Sequence, residues 1–105
     1  MVAATTSQSA CTLATANKIP LSEYTKLCFG WEVVVSGNHS YHKVGVATAQ
    51  TGGDFVVNGL YERAVSAQTS EVDISSITDN AYIKFYFNSG TGSTLTATIK
   101  NVWLE

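Results

Sequence analysis

Apolar residues recur at every second position through much of the chain, which is the period of a strand with one buried face, and helical spacing is scarce. From Thr25 to Val35, the residues Leu27, Phe29, Trp31, Val33 and Val35 share one face, while Lys26, Cys28, Gly30 and Glu32 share the other. Ser36-Gly37-Asn38-His39-Ser40 is a turn composition, and Tyr41 to Ala49 reads as the partner strand of a hairpin. That second strand puts His42, Val44 and Val46 on one side and Tyr41, Lys43, Gly45 and Ala47 on the other.

Gln50-Thr51-Gly52-Gly53-Asp54 predicts the next turn. Short strands follow at Phe55-Val56-Val57 and from Tyr61 to Ala67, separated by Asn58-Gly59, a pair that favours hairpin turns. Glu71 to Ile74 is another short strand, and Ser75 to Asn80 has room for no more than one helical turn. Ala81 to Asn88 alternates again, with Ile83, Phe85 and Phe87 opposite Tyr82, Lys84 and Tyr86. After a flexible Asn88-Ser89-Gly90-Thr91-Gly92-Ser93 loop, Leu95, Ala97 and Ile99 alternate before Val102 and Leu104 take the opposite phase. A slip at Lys100-Asn101 is what a β-bulge produces, because one extra residue reverses the facing of those that follow.

Roughly seven to nine strands with frequent turn signals predict an all-β, antiparallel sandwich or barrel. At 105 residues the chain has the length of one domain. Residues 1–10 read as an extended N-terminal arm without the basic and apolar regions of a secretory signal. No stretch is apolar enough to span a bilayer, so no membrane partner is expected. Cys11 and Cys28 fall in or beside strand patterns and read as free structural thiols in preference to a disulfide. A looser echo links Ile19 to Thr25 with Val72 to Thr78: each is a strand end and a Ser-containing turn carrying an apolar residue (Tyr24, Ile77) expected to plug the core.

Composition adds a constraint on the outward faces. Charged residues are 13% of the chain, about half the usual share, whereas 13 Thr and 11 Ser supply much of the polarity. With a net charge of −2 the basic footprint of a nucleic-acid binder is absent. Catalytic chemistry is thin. His39 and His42 would point to opposite faces of a strand, no third metal ligand accompanies them, and no nucleophile elbow, phosphate loop or Cys-x-x-Cys occurs. No cofactor, no metal and no enzymatic activity are therefore expected. The positive signal is aromatic: Tyr41, Tyr82 and Tyr86, interleaved with Lys43 and Lys84, lie opposite the core set and form the candidate binding surface. A surface so poor in charge is weakly protected against association, which ranks a subunit interface ahead of a glycan patch or a plain sheet surface.

The segments Lys18 to Leu27, Val72 to Ile77, Ala81 to Tyr86 and Thr98 to Glu105 together resemble the small jelly-roll domains of bacteriophage and prophage tail and virion-surface proteins. Those domains are similar in architecture to galactose-binding-like carbohydrate-binding modules. The resemblance spans residue 12 to the end, with a departure at Pro20, where the family pattern often has Asp. It implies a jelly-roll topology and a non-enzymatic module of a virion or extracellular surface, forming a homo-oligomer or binding other virion proteins, with glycan as a further ligand. A free-standing carbohydrate-binding module is the alternative, and a fragment of an uncharacterised enzyme the third reading.

Overall fold

A computed structural model describes the backbone of residues 2–7 and residues 10–37, 40–90 and 92–105 in full. Among the described residues eight strands account for the regular structure: β1 (Val2–Ser7), β2 (Ala10–Ala14), β3 (Lys26–Ser36), β4 (Tyr41–Ala47), β5 (Val57–Glu62), β6 (Val65–Asp73), β7 (Tyr82–Asn88) and β8 (Thr94–Leu104). They form two four-stranded antiparallel sheets, ordered β1-β8-β3-β6 and β2-β7-β4-β5. The pairing is nested. First meets last (β1 with β8), then β2 meets β7, β3 meets β6 and β4 meets β5, as if one long hairpin were folded over on itself.

The expected alternation becomes the core. Leu27, Phe29, Trp31 and Val33 of β3 face Val44, Val46, Phe85 and Phe87 of the other sheet, joined by Leu95, Ala97 and Ile99. Phe29 stands edge-on to Trp31, Phe85 and Tyr61, at centroid distances of 5.2, 5.5 and 6.3 Å. Rings in this arrangement each contribute about 0.5–1.5 kcal/mol beyond the area they bury. Trp31 carries a polar N–H into this apolar layer, and its Nε1 donates to the Ser70 hydroxyl on β6 at 3.0 Å. The turn echo is also present, since Tyr24 N donates to the Leu21 carbonyl and Ile77 N to the Ile74 carbonyl, at 3.1 and 3.0 Å. Leu21 and Ile74, both fully buried, close that end of the sandwich.

The phase slip in the last strand is a bulge. Ile99 lies opposite Trp31 and Asn101 opposite Gly30, which leaves Lys100 as the extra residue and returns Val102 and Leu104 to the inner face, opposite Phe29 and Leu27. Both cysteines are free: Cys11 packs against the core from β2, and Cys28 lies on the other side of β3, where burial pushes its thiol pKa up.

Four expectations change. Asn58-Gly59 is not a turn: β5 runs straight through it, and the reversal falls at Arg63, whose φ of 60° is left-handed. Gly59 serves packing instead, because a Cβ there would sit 2.8 Å from the Tyr61 hydroxyl and 3.1 Å from its ring. The expected strands Tyr61 to Ala67 and Glu71 to Ile74 are redistributed: Tyr61 and Glu62 end β5, and Val65–Asp73 forms one continuous β6 after that turn. The N-terminal arm is held in the sheet, Val2–Ser7 pairing with β8 as an edge strand. Tyr24 does not plug the core; it is exposed, and Leu21 three residues earlier takes that place.

Candidate binding surface

The outer face of the second sheet is built by cross-strand register. Tyr41 lies opposite Asn88 and Glu62, Lys43 opposite Tyr86 and Leu60, Gly45 opposite Lys84, and Ala47 opposite Tyr82. The five residues singled out from the sequence, Tyr41, Lys43, Tyr82, Lys84 and Tyr86, therefore do share one face. They do not form one patch, because the chain's own connection between β4 and β5, residues 48–56, folds back across the middle of that face.

The two lysines hold this strap. Lys84 Nζ donates to the carbonyls of Asp54 and Thr51 at 2.8 and 3.3 Å, and it lies 4.5 Å from the centre of the Phe55 ring. Lys43 Nζ donates to the Gly53 carbonyl at 3.0 Å. Gln50 Nε2 reaches the carbonyls of Thr15 and Ala16 at 2.9 and 3.2 Å, tying the strap to the chain beyond β2. Gly53 lies on the Tyr86 ring so closely that a Cβ would be 3.3 Å from it.

Lys84 is consequently fully buried, which corrects the expectation of an accessible cation. Burial lowers its pKa from the ordinary 10.5, and the Asp54 carboxylate opposes that shift. Two carbonyls and a ring face supply what water would have given the ammonium. Lys84 therefore leaves the contact surface and becomes a support for it.

On one side of the strap Tyr41 is exposed and Tyr86 half-buried, with Gly53 over its ring, their ring centroids 6.0 Å apart and their planes tilted by 45°. Asn88 Nδ2 lies 3.4 Å from both hydroxyls and donates to each. Leu60, 59% exposed, lies beside them across Lys43. Tyr82 stands apart, four residues and about 13 Å along β7, with Lys18 Nζ 5.9 Å above its ring. The candidate surface thus contracts to Tyr41, Tyr86, Asn88 and Leu60 with the strap as its wall. Sequence reasoning missed Leu60 and Asn88. An unbroken alternation Val57, Gly59, Tyr61 against Asn58, Leu60, Glu62 was the signal for Leu60, hidden by reading Asn58-Gly59 as a turn.

His42 is buried in the core beside Trp31 and Phe87, its Nε2 donating to the Arg63 carbonyl at 2.7 Å, while His39 lies outside the described residues. Of the loops at the ends of the sandwich, 36–40 and 88–93 contain residues outside the described set, and 50–54 is the strap itself. Among the described residues, no three His, Cys, Asp or Glu side chains gather in a metal-binding arrangement. A shallow polar hollow lined by Thr25, Lys26, Glu71, Asp73 and Ser75 holds the exposed Lys26–Glu71 pair at 3.6 Å. Asp73 there accepts from the Ser75 hydroxyl and backbone N–H, which lowers its pKa. Among the described residues no helix is long and apolar enough to cross a membrane. No protein-family model matches the chain, and no curated protein matches it in sequence.

Proposed function

We propose that the chain is a non-enzymatic assembly and binding module of jelly-roll topology, of the kind carried on bacteriophage virion or tail surfaces. It associates with copies of itself or a partner protein through the outer face of β4, β5 and β7. The nested strand pairing supports the jelly-roll reading, and the four segments quoted from the sequence support the virion-surface setting. The observation that carries the assembly reading is the exposed pair Tyr41 and Leu60 beside the half-buried Tyr86 on one sheet face, within a surface short of charge. Aromatic anchors flanked by an exposed aliphatic side chain are the composition of an interface centre.

Sedimentation over a range of concentrations tests this. The native chain is expected to self-associate or to bind a partner, and Leu60→Glu is expected to abolish that association while leaving the fold intact. A chain that stays monomeric at high concentration and captures no virion protein overturns the reading. The tilted pair of rings with an amide between their hydroxyls favours neutral glycan as a second ligand of the same surface, because ring faces stack on sugar C–H groups while the amide and hydroxyls bond their oxygens. On a glycan array, Tyr41→Ala and Tyr86→Ala would each remove that binding.

A further inference from the structure

The pair Asn58-Gly59 forms no turn, and in β5 it stands where the chemistry of its own side chain is open. Asn58 is exposed on the outer face, in the same phase as Leu60 and Glu62, and among the described residues no group holds its amide by a hydrogen bond. The other described asparagines are placed differently. Asn88 Oδ1 accepts from the Gly90 N–H at 2.9 Å while its Nδ2 donates to two tyrosine hydroxyls, and Asn101 Oδ1 lies over Gly30. Asn17 and Asn80 are followed by Lys18 and Ala81. A side chain on the following residue crowds the approach of its backbone nitrogen to the asparagine amide, and Gly59 has none. Among the described residues β5 is also an edge strand, paired with β4 alone. A strand held by one ladder parts from its sheet at lower cost than a central one.

We infer that Asn58 is a site of spontaneous deamidation, which gives β5 a new carboxylate and, in one of two products, a longer backbone. The Gly59 nitrogen loses its proton and bonds to Asn58 Cγ, the Cγ–Nδ2 bond breaks, and ammonia leaves. Water then opens the five-membered imide at either carbonyl, giving aspartate or isoaspartate, with nothing oxidised or reduced. The extended backbone of a strand holds the Gly59 nitrogen away from Asn58 Cγ, so ring closure waits for β5 to part from β4. The two products differ in effect. Aspartate places a negative charge in line with Leu60, on the face that already carries Glu62. Isoaspartate carries the main chain through the former side chain and adds one atom opposite Gly45, where β4 and β5 have no room to spare. That shifts Tyr61 against Trp31, whose ring centroid is 4.8 Å away. A chain that stays unassembled therefore gains charge and loses register on the face proposed above for assembly, a consequence that rests on that reading.

Trypsin places each of the six asparagines in a peptide of its own, Asn58 in peptide 44–63. After incubation of the full chain at mildly alkaline pH, fragmentation mass spectrometry is expected to show acid in place of amide at Asn58 at least about tenfold faster than at any other asparagine, the effect of the bare Gly59 nitrogen. Both aspartate and isoaspartate are expected, a mixture that direct hydrolysis of the amide does not give. Synthetic peptide 44–63, free of the sheet, is expected to convert faster than the folded chain, and Gly45→Ala, which loosens β5, to speed conversion at Asn58 while leaving Asn88 unchanged. Conversion at Asn58 no faster than elsewhere, or aspartate without isoaspartate, overturns the inference. Equal rates in the peptide and the folded chain overturn its dependence on strand opening. Asn58→Asp, the product without the longer backbone, is expected to weaken self-association several-fold in sedimentation, because charge is disfavoured within an interface. Association as tight as that of the native chain overturns the effect on assembly. Conversion itself is read by mass on the dilute chain, so it holds or fails whether or not the chain associates.

Discussion

His42 and Lys84 are titratable side chains placed where the fold hides them completely, and each makes stability depend on a proton. Burial lowers the His42 pKa from the ordinary 6.5, with the carbonyl of Arg63 only partly opposing it. The unfolded chain therefore takes up a proton near pH 6.5 while the folded chain resists until lower pH. Stability accordingly falls as pH drops through that window and levels off below the folded-state pKa. Thermal melts between pH 7.5 and 5 are expected to show this fall, and His42→Phe, with a ring of similar size among Trp31 and Phe87, is expected to flatten it. An unchanged slope in the variant would move the origin of the acid sensitivity elsewhere. Lys84→Met would leave the carbonyls of Thr51 and Asp54 without their donor, costing about 1–3 kcal/mol and speeding amide exchange within 50–56. Neither burial was equally readable beforehand. His42 shares the phase of Val44 and Val46, which marks it as inward, whereas Lys84 lies in the outward phase and is buried by a strap some thirty residues earlier in the chain.

Among the elements, those with bulky alternating residues were legible: β3, β4 and β7, and β8 together with its bulge at Lys100. The ones that misled are short of such residues or use glycine for a second purpose. Val2–Ser7 is small and hydroxylated, with nothing in its composition to separate an edge strand from a free arm. In β5 the pair Asn58-Gly59 carries a turn signature, yet Gly59 is there because the Tyr61 ring lies over it. The strap was recognised as a turn, but its path over the sheet follows from Lys43 and Lys84, so the candidate surface was legible as a face and not as a patch. Gly45 gives the element-scale test. A Cβ at this position would run into the backbone of Val57 and Asn58, so β4 and β5 pack this closely only over glycine. Gly45→Ala is expected to cost about 1–3 kcal/mol and to loosen β5 selectively in hydrogen exchange. Uniform loosening of all eight strands would contradict that account.

For the whole molecule, the exchange of charge for hydroxyl has a direction. Among the described residues the one close ion pair is the exposed Lys26–Glu71 contact, which contributes little. Association through Tyr41, Tyr86 and Leu60 is thus expected to hold or strengthen as salt rises to about 0.5 M, because screening removes nothing it depends on. Dissociation by salt, read by sedimentation, would point to charge pairing and away from this face.

The nesting of the strands has a consequence for how the protein comes into being. β8 is inserted between β1 and β3, so the first sheet has a gap at its centre until the last strand has left the ribosome. Among the described residues, a nascent chain lacking β8 leaves β1 without the ladder it makes and β3 paired on one side alone. Its contacts are distant along the chain, and such topologies fold slowly, with their closure entropy spent before the rewarding contacts form. Completion of the first sheet therefore waits on the emergence of β8, and the interval before it is when the unpaired strands are most exposed to aggregation.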